Sequence, residues 1–235
     1  MQRPLRVEAR RKTAHKKRVS GLMARPRKED TLDIAPRAVA EMVRLLTARD
    51  DFDVPLVAVA EAVGCTPPAL YGYFRNKGAL LRAVREAGFN RLYNEKLTLS
   101  ERMHSDPFGY LREGSYVYAR FALDNPTLYR LMFAPPPSLG VGDDPLSGDP
   151  GRRIFELLLT GLHGCQAQGL LPGMDLHRYA FMFWSAVHGA VYLGFQNRAV
   201  DEAAKWDATR DVIDTLMEMI AATAPRGGDP LLMPG

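Results

Sequence analysis

Apolar residues recur at intervals of three and four along almost the whole chain, and nowhere alternate with polar ones over the length of a strand. That spacing predicts an all-α protein. "TLDIAPRAVAEMVRLL" sets Ile34, Ala38, Met42 and Leu45/Leu46 on one face, with Asp33 as a candidate cap. "VPLVAVAEAVG" predicts a short helix stopped by Gly64, and a longer one starts near Asn76. Beyond Ser105 the helices lengthen. One lies between the Asp-Pro at 106–107 and the Asn-Pro at 125–126, and the short "TLYRLMF" follows. Others are expected over 151–169, over 175–196 and in "WDATRDVIDTLMEMIAAT". The Pro-, Gly- and Asp-rich stretch 134–151 predicts an exposed loop. The expected organisation is a flexible basic arm over 1–30, a small helical head over 31–77, a larger helical body over 78–224 and a disordered tail over 225–235.

Charge separates the arm from the rest. The net charge of +4 hides eleven Lys/Arg against one acid in residues 1–28, leaving 20 basic and 26 acidic residues in 29–235. An arm of that kind suits a polyanion, either nucleic acid or an anionic membrane, and a solvated tail is the plain alternative. Met23 offers a second translation start, so residues 1–22 read equally as an upstream extension. The two cysteines, Cys65 and Cys165, have no metal-ligand spacing, which fits a reducing cytosol and argues against a disulfide framework or a zinc site. Residues 10–12, "RRK", precede no apolar stretch and so do not open a signal peptide. Residues 179–197 carry no Asp, Glu, Lys or Arg and are barely long enough to span a bilayer. A buried core or interface helix is the better reading, and no membrane partner is expected.

Residues 54–74 are dense with local signals. A two-turn helix ends at Gly64, a short turn follows, and Thr66 is placed to cap a second helix, which makes a helix-turn-helix. Small residues Ala58, Ala60 and Ala62 permit close crossing, and Val59, Val63, Leu70 and Phe74 fall where the packed faces should be. Pro67 and Pro68 then occupy the first helical turn, whose N–H groups lack intrahelical partners, so they start the helix instead of breaking it. In such a motif the N-terminal end of the second helix meets the major groove, here Thr66, Pro67, Pro68 and Ala69. Tyr71 lies farther along that face, and Tyr73 and Lys77 are placed to reach phosphates, joined by Arg25, Arg27 and Lys28 of the arm.

"LVAVAEAVGCTPPALYGYFRNKGALLRAV" resembles the DNA-binding segment of TetR-family transcriptional regulators. The likeness covers about 33–85 and rests on a Leu-Tyr-x-x-Phe-x-x-Lys pattern at Leu70, Tyr71, Phe74 and Lys77, followed by Leu80 and Leu81. Two positions depart: Gly72 stands where a polar residue is common, and Gly78 where Glu or Asp is usual. The resemblance implies a dimer whose two recognition helices enter successive major grooves of a near-palindromic operator. It also implies a body that binds a small effector and, on doing so, releases the DNA.

The body can be read for both tasks. "WSAVHG", Trp184 to Gly189, resembles the Trp…His-Gly signature of one TetR C-terminal-domain subgroup. Aromatic and Met residues predict a mostly apolar pocket at Tyr93, Tyr118, Phe121, Tyr129, Phe133, Phe155, Trp184 and His188, with Tyr116, Met132 and Met182 as further candidates. For any one of them plain core packing is an equal reading, and His188 reads first as a satisfied buried histidine. A helix apolar on most sides needs burial on most sides. Packing of Ala186, Gly189, Ala190 and Leu193, with Val212, Leu216, Met219 and Ile220 of the last helix, against a twofold mate would supply it. Ser185 and His188 lack an orienting acid and a strand-turn-helix elbow, so no catalytic site, metal or cofactor is expected. The alternative from another class is a helical-bundle enzyme or carrier with a vestigial DNA-binding head.

Overall fold

The computed structural model of the chain describes residues 34–142, 149–197 and 199–225. The basic arm with Arg25, Arg27 and Lys28, the candidate cap Asp33 and nearly all of the tail lie outside the described residues. Helices account for every regular element among those described except one 3-10 turn, and there is no strand.

Three helices form the head. The first, α1 (Ile34–Arg49), buries Ile34, Ala38, Met42 and Leu46, the face its periodicity sets out. The second, α2 (Leu56–Val63), ends at Gly64, whose N–H still bonds the carbonyls of Ala60 and Glu61 and whose φ of +79° turns the Cys65 N–H back to the Ala60 carbonyl at 2.9 Å. The third, α3 (Pro67–Tyr73), crosses both, with Leu70 fully buried between them. Val59, Val63, Leu70 and Phe74 all belong to the core, as their spacing predicts. Arg37 of α1 donates through Nη2 to the Val63 carbonyl at 2.6 Å and so satisfies an orphan acceptor at the end of α2.

The 21-residue α4 (Lys77–Leu97) starts at Asn76, whose Oδ1 accepts from the Ala79 N–H at 2.8 Å. It packs on α1 at one end and on the body at the other. The body comprises α5 (Arg102–Ser105), α6 (Pro107–Asp124), α7 (Pro126–Phe133), α8 (Asp149–Ala167), α9 (Leu176–Gln196) and α10 (Glu202–Ala221). Asp106, Asp175 and Asp201 cap α6, α9 and α10 through their carboxylates. One continuous apolar core runs through head and body. Among the described residues no helix is long and apolar enough to cross a membrane, α9 included.

Two segments differ from the sequence reading. Capping by Asp201 starts α10 at Glu202, ahead of the expected start at Trp206. The stretch 134–142 is docked to the protein, not simply an exposed loop. It holds a 3-10 turn (Pro137–Leu139), buries Val141, and receives hydrogen bonds from α4: Arg82 Nη1 to Gly140 O at 2.5 Å and Arg85 Nη1 to Gly142 O at 3.3 Å. Arg85 Nε also donates to Met132 O at 2.9 Å. This docking explains Gly78. A Cβ there would stand 2.8 Å from the Leu139 carbonyl oxygen, closer than real side chains approach, so the acidic residue usual at this position cannot be accommodated.

Candidate functional site

Thr66, Pro67 and Pro68 build the start of α3 as the sequence suggests. Thr66 has extended backbone angles and its Oγ1 accepts from the Ala69 N–H at 3.4 Å, with both prolines in the first turn. Leu70 and Phe74 anchor the helix from below, so its opposite side faces solvent. Tyr71 and Tyr73 stand beside that side, 52% and 46% exposed. Thr66 and Pro68 are exposed and Pro67 and Ala69 half-buried. Lys77 opens α4 at the edge of this surface, 3.8 Å from the fully solvated Asp53 carboxylate, a contact that holds it only weakly. Gly72 lies mid-helix with nothing within 4 Å of where a Cβ would be. No packing demand accounts for that glycine, and a flat, side-chain-free spot between two exposed tyrosines is its visible consequence.

In the body, α4, α6, α7, α8 and α9 line a small, partly open cavity of about 30 Å³. Its lining is Phe89, Lys96, Ser115, Tyr118, Phe133, Gly151, Ile154, Phe155, Leu158, Phe183, Trp184 and Val187. Four of the eight expected pocket residues line it: Tyr118, Phe133, Phe155 and Trp184. Tyr129 and His188 stand just behind them. Trp184 Nε1 donates to Tyr118 Oη at 3.1 Å, the Tyr118 and Tyr129 hydroxyls are 2.6 Å apart, and His188 Nδ1 lies 3.0 and 2.6 Å from them. With Nδ1 as acceptor, the indole and both hydroxyls each donate within this chain, and burial holds the imidazole pKa down to about 4. His188 is therefore neutral at pH 7 and satisfied by tyrosines, while Ser185 is exposed, so the two do not form a nucleophile and base.

Two expected pocket residues are elsewhere. Tyr93 lies under the Arg153 guanidinium, 4.5 Å from ring centroid to Cζ, and buried Phe121 lies under that of Arg91 at 5.4 Å. Of the further candidates, Tyr116 donates to the Asp214 carboxylate on α10, Met132 is wholly buried, and Met182 points outward. The sequence reading missed Lys96, the only charged residue of the lining among the described residues, because a lysine in "YNEKLTL" looks solvent-facing.

The outer face of α9 exposes Phe181 (58%), Met182 (41%) and Leu193 (68%), and α10 adds Met219 (52%) beside it. Half-buried Ala186, Gly189 and Ala190 fill the middle, with open space where a Gly189 Cβ would project. Three of the expected interface residues do not belong to this surface. Leu216 and Ile220 are buried in the chain's own core at 7% and 0% exposure, and half-buried Val212 packs against that core. They lie on the side of α10 that faces α6 and α9, which periodicity alone could not separate from an outward face.

Two family models match the chain: the bacterial regulatory proteins of the tetR family over residues 45–84, and the tetracyclin repressor-like C-terminal domain over residues 111–220. No curated protein matches the chain significantly. Among solved structures it is similar to a protein of unknown function from a Rhodococcus species, at 21% identity and TM-score 0.63, over 80% of this chain and 95% of that one. It is also similar to the TetR-family regulator PfmR from Thermus thermophilus, at 19% identity and TM-score 0.56, over 77% and 97%. A third is the repressor FadR, also from Thermus thermophilus, in complex with lauroyl-CoA, at 15% identity and TM-score 0.56, over 86% and 99%.

Proposed function

Because this chain belongs to the TetR family of transcriptional regulators, we propose that it is a homodimeric repressor. It binds a near-palindromic operator through α3 and is released by a small, mostly apolar effector in the body cavity. The observation that carries the reading is the head: a proline-started, Thr66-capped helix anchored by Leu70 and Phe74, with Tyr71 and Tyr73 about half exposed beside them. Residues 31–77 are the DNA-binding head and 78–224 the effector-binding and dimerisation body. The apolar outer face of α9 and α10 pairs with its twofold mate. The protein works in the bacterial cytoplasm on the nucleoid, where the basic arm adds salt-sensitive phosphate contacts. It is not an enzyme.

Helix α4 supports the coupling. It is one rigid element that carries Lys77 at the DNA edge and Lys96 in the cavity, 19 residues or about 28 Å apart. Its first three turns are also held through Arg82, Arg85 and Gly78 to the end of α7 and the segment that leaves cavity residue Phe133. A second tie joins the end of α1 to α7, where the Asp50 carboxylate accepts from Thr127 Oγ1 at 2.5 Å and Arg130 Nη2 at 2.7 Å. An effector that moves α7 or α8 against α4 therefore moves the head. It lowers DNA affinity only by as much as it prefers the DNA-incompetent arrangement.

The division of labour on the DNA face is testable. Tyr73→Phe and Lys77→Ala should weaken binding to every duplex by similar factors and flatten the salt dependence. Thr66→Ala and Pro68→Ala should instead change which duplex is preferred, by up to roughly tenfold per position. Selection from a randomised duplex pool, with affinities measured at two salt concentrations, separates the classes. Uniform losses for all four variants would overturn these roles.

A further inference from the structure

Lys96 brings a charge into an otherwise apolar wall. It is 7% exposed, and among the described residues its Nζ makes no hydrogen bond and no ion pair. It crosses from α4 to α6, where a Cβ on Gly114 would lie 3.6 Å from both its Cε and Nζ. The neighbouring Ser115 lines the same cavity and gives its own proton to Leu111 O at 2.8 Å, so its free valence towards the cavity is a lone pair or a redirected hydroxyl. Gly151, in the first turn of the 19-residue α8, forms another part of the lining and brings the positive end of that helix to the cavity. A buried ammonium left unpaired is costly, and an anion bound beside it removes the cost.

We infer that the cavity takes a small carboxylate with an apolar body, its head against Lys96 and its body among Phe89, Phe133, Phe155 and Trp184. The inference rests on reading this cavity as the effector site and names the class of effector. One ammonium matches one negative charge. A phosphate dianion would leave its second charge without a cation among the described lining residues, and an amine would meet like charge. Burial holds the Lys96 pKa down to about 8, which still leaves it mostly protonated at neutral pH.

The test uses the full chain with octanoate and benzoate, against octanol, benzyl alcohol and octylamine. Binding is followed by thermal shift and by the fluorescence of Trp184, one of two tryptophans, in a Trp206→Phe background. The carboxylates should bind at least about tenfold more tightly than the matched alcohols, and octylamine not at all. Lys96→Met, or Lys96→Gln should Met not fold, should erase that preference while leaving alcohol binding intact. Carboxylates that bind no better than alcohols, or bind the Lys96 variants undiminished, overturn the inference. DNA affinity is read in parallel. Sequence-specific DNA binding without any carboxylate preference sinks the inference alone. Carboxylate binding through Lys96 with no change in DNA affinity leaves the inference standing and contradicts the regulatory reading.

Discussion

Replacing Lys96 with Met should raise the melting temperature at pH 7, although the substitution removes a charge from a folded protein's interior. Burial lowers the Lys96 pKa from 10.5 to about 8. Each unit is about 1.4 kcal/mol, so the ionised side chain opposes folding by roughly 3 kcal/mol at neutral pH. Met has similar length and no charge to desolvate, and replacing a buried charge by a well-packed apolar residue is often stabilising. Allowing for imperfect packing, the expected gain is about 2 kcal/mol, a rise of roughly 4–8 °C for a chain of this size. The sign of the pH dependence follows from proton counting. Between about pH 8 and 10.5 the unfolded chain keeps the Lys96 proton that the folded chain has lost. Stability from this residue therefore increases with pH through that window. The advantage of Lys96→Met should accordingly be full below pH 8 and fade by pH 10.5. A variant that melts below the wild type at pH 7, or whose advantage is flat across the window, would contradict the account. A site kept at a cost in stability is what a binding function would explain.

Leu193→Glu should separate the proposed dimer into folded monomers. Leu193 is 68% exposed in the single chain, so the substitution changes monomer stability by no more than about 0.5 kcal/mol. In a twofold interface the same glutamate appears twice and desolvates two like charges across an apolar seam that includes Met182, Gly189 and Met219. Operator affinity should then fall on the order of 100-fold or more, because each half-site is held alone. Sedimentation of wild type and variant gives the assembly state, and anisotropy on operator DNA gives the affinity. Ile220→Glu is the contrast: wholly buried, it should unfold the chain instead of splitting it. A Leu193→Glu protein that remains dimeric would place the interface elsewhere.

The head was legible because its determinants are local. Gly64, Thr66, the two prolines and the Leu70–Phe74 pair each act within a few residues, through capping, a left-handed turn or helical spacing. What decides the body lies far away in the chain. Lys96 is buried where it lies across α6 beside Gly114, and no signal near residue 96 announces that. The stretch 134–142 reads as a loop from its prolines and glycines, yet docks on α4 because Gly78 leaves room for Leu139 O. The departure at Gly78 was visible in the sequence as an oddity, and only the packing gives it a reason. Gly72 is the converse, a departure whose surroundings are empty, which leaves its meaning to the surface it presents. The last helix shows a further limit. Val212, Leu216, Met219 and Ile220 share one apolar pattern, and only the position of α6 and α9 tells which of them face inward.

The most direct measurement is an anisotropy titration of the protein on the DNA upstream of its own gene, competed with a scrambled duplex of equal length and charge. The account predicts a dimer-stoichiometric complex that resists at least about a thousandfold excess of the scrambled competitor. Equal displacement by both duplexes, or no complex with the upstream DNA, would contradict the claim that this chain is a sequence-specific regulator.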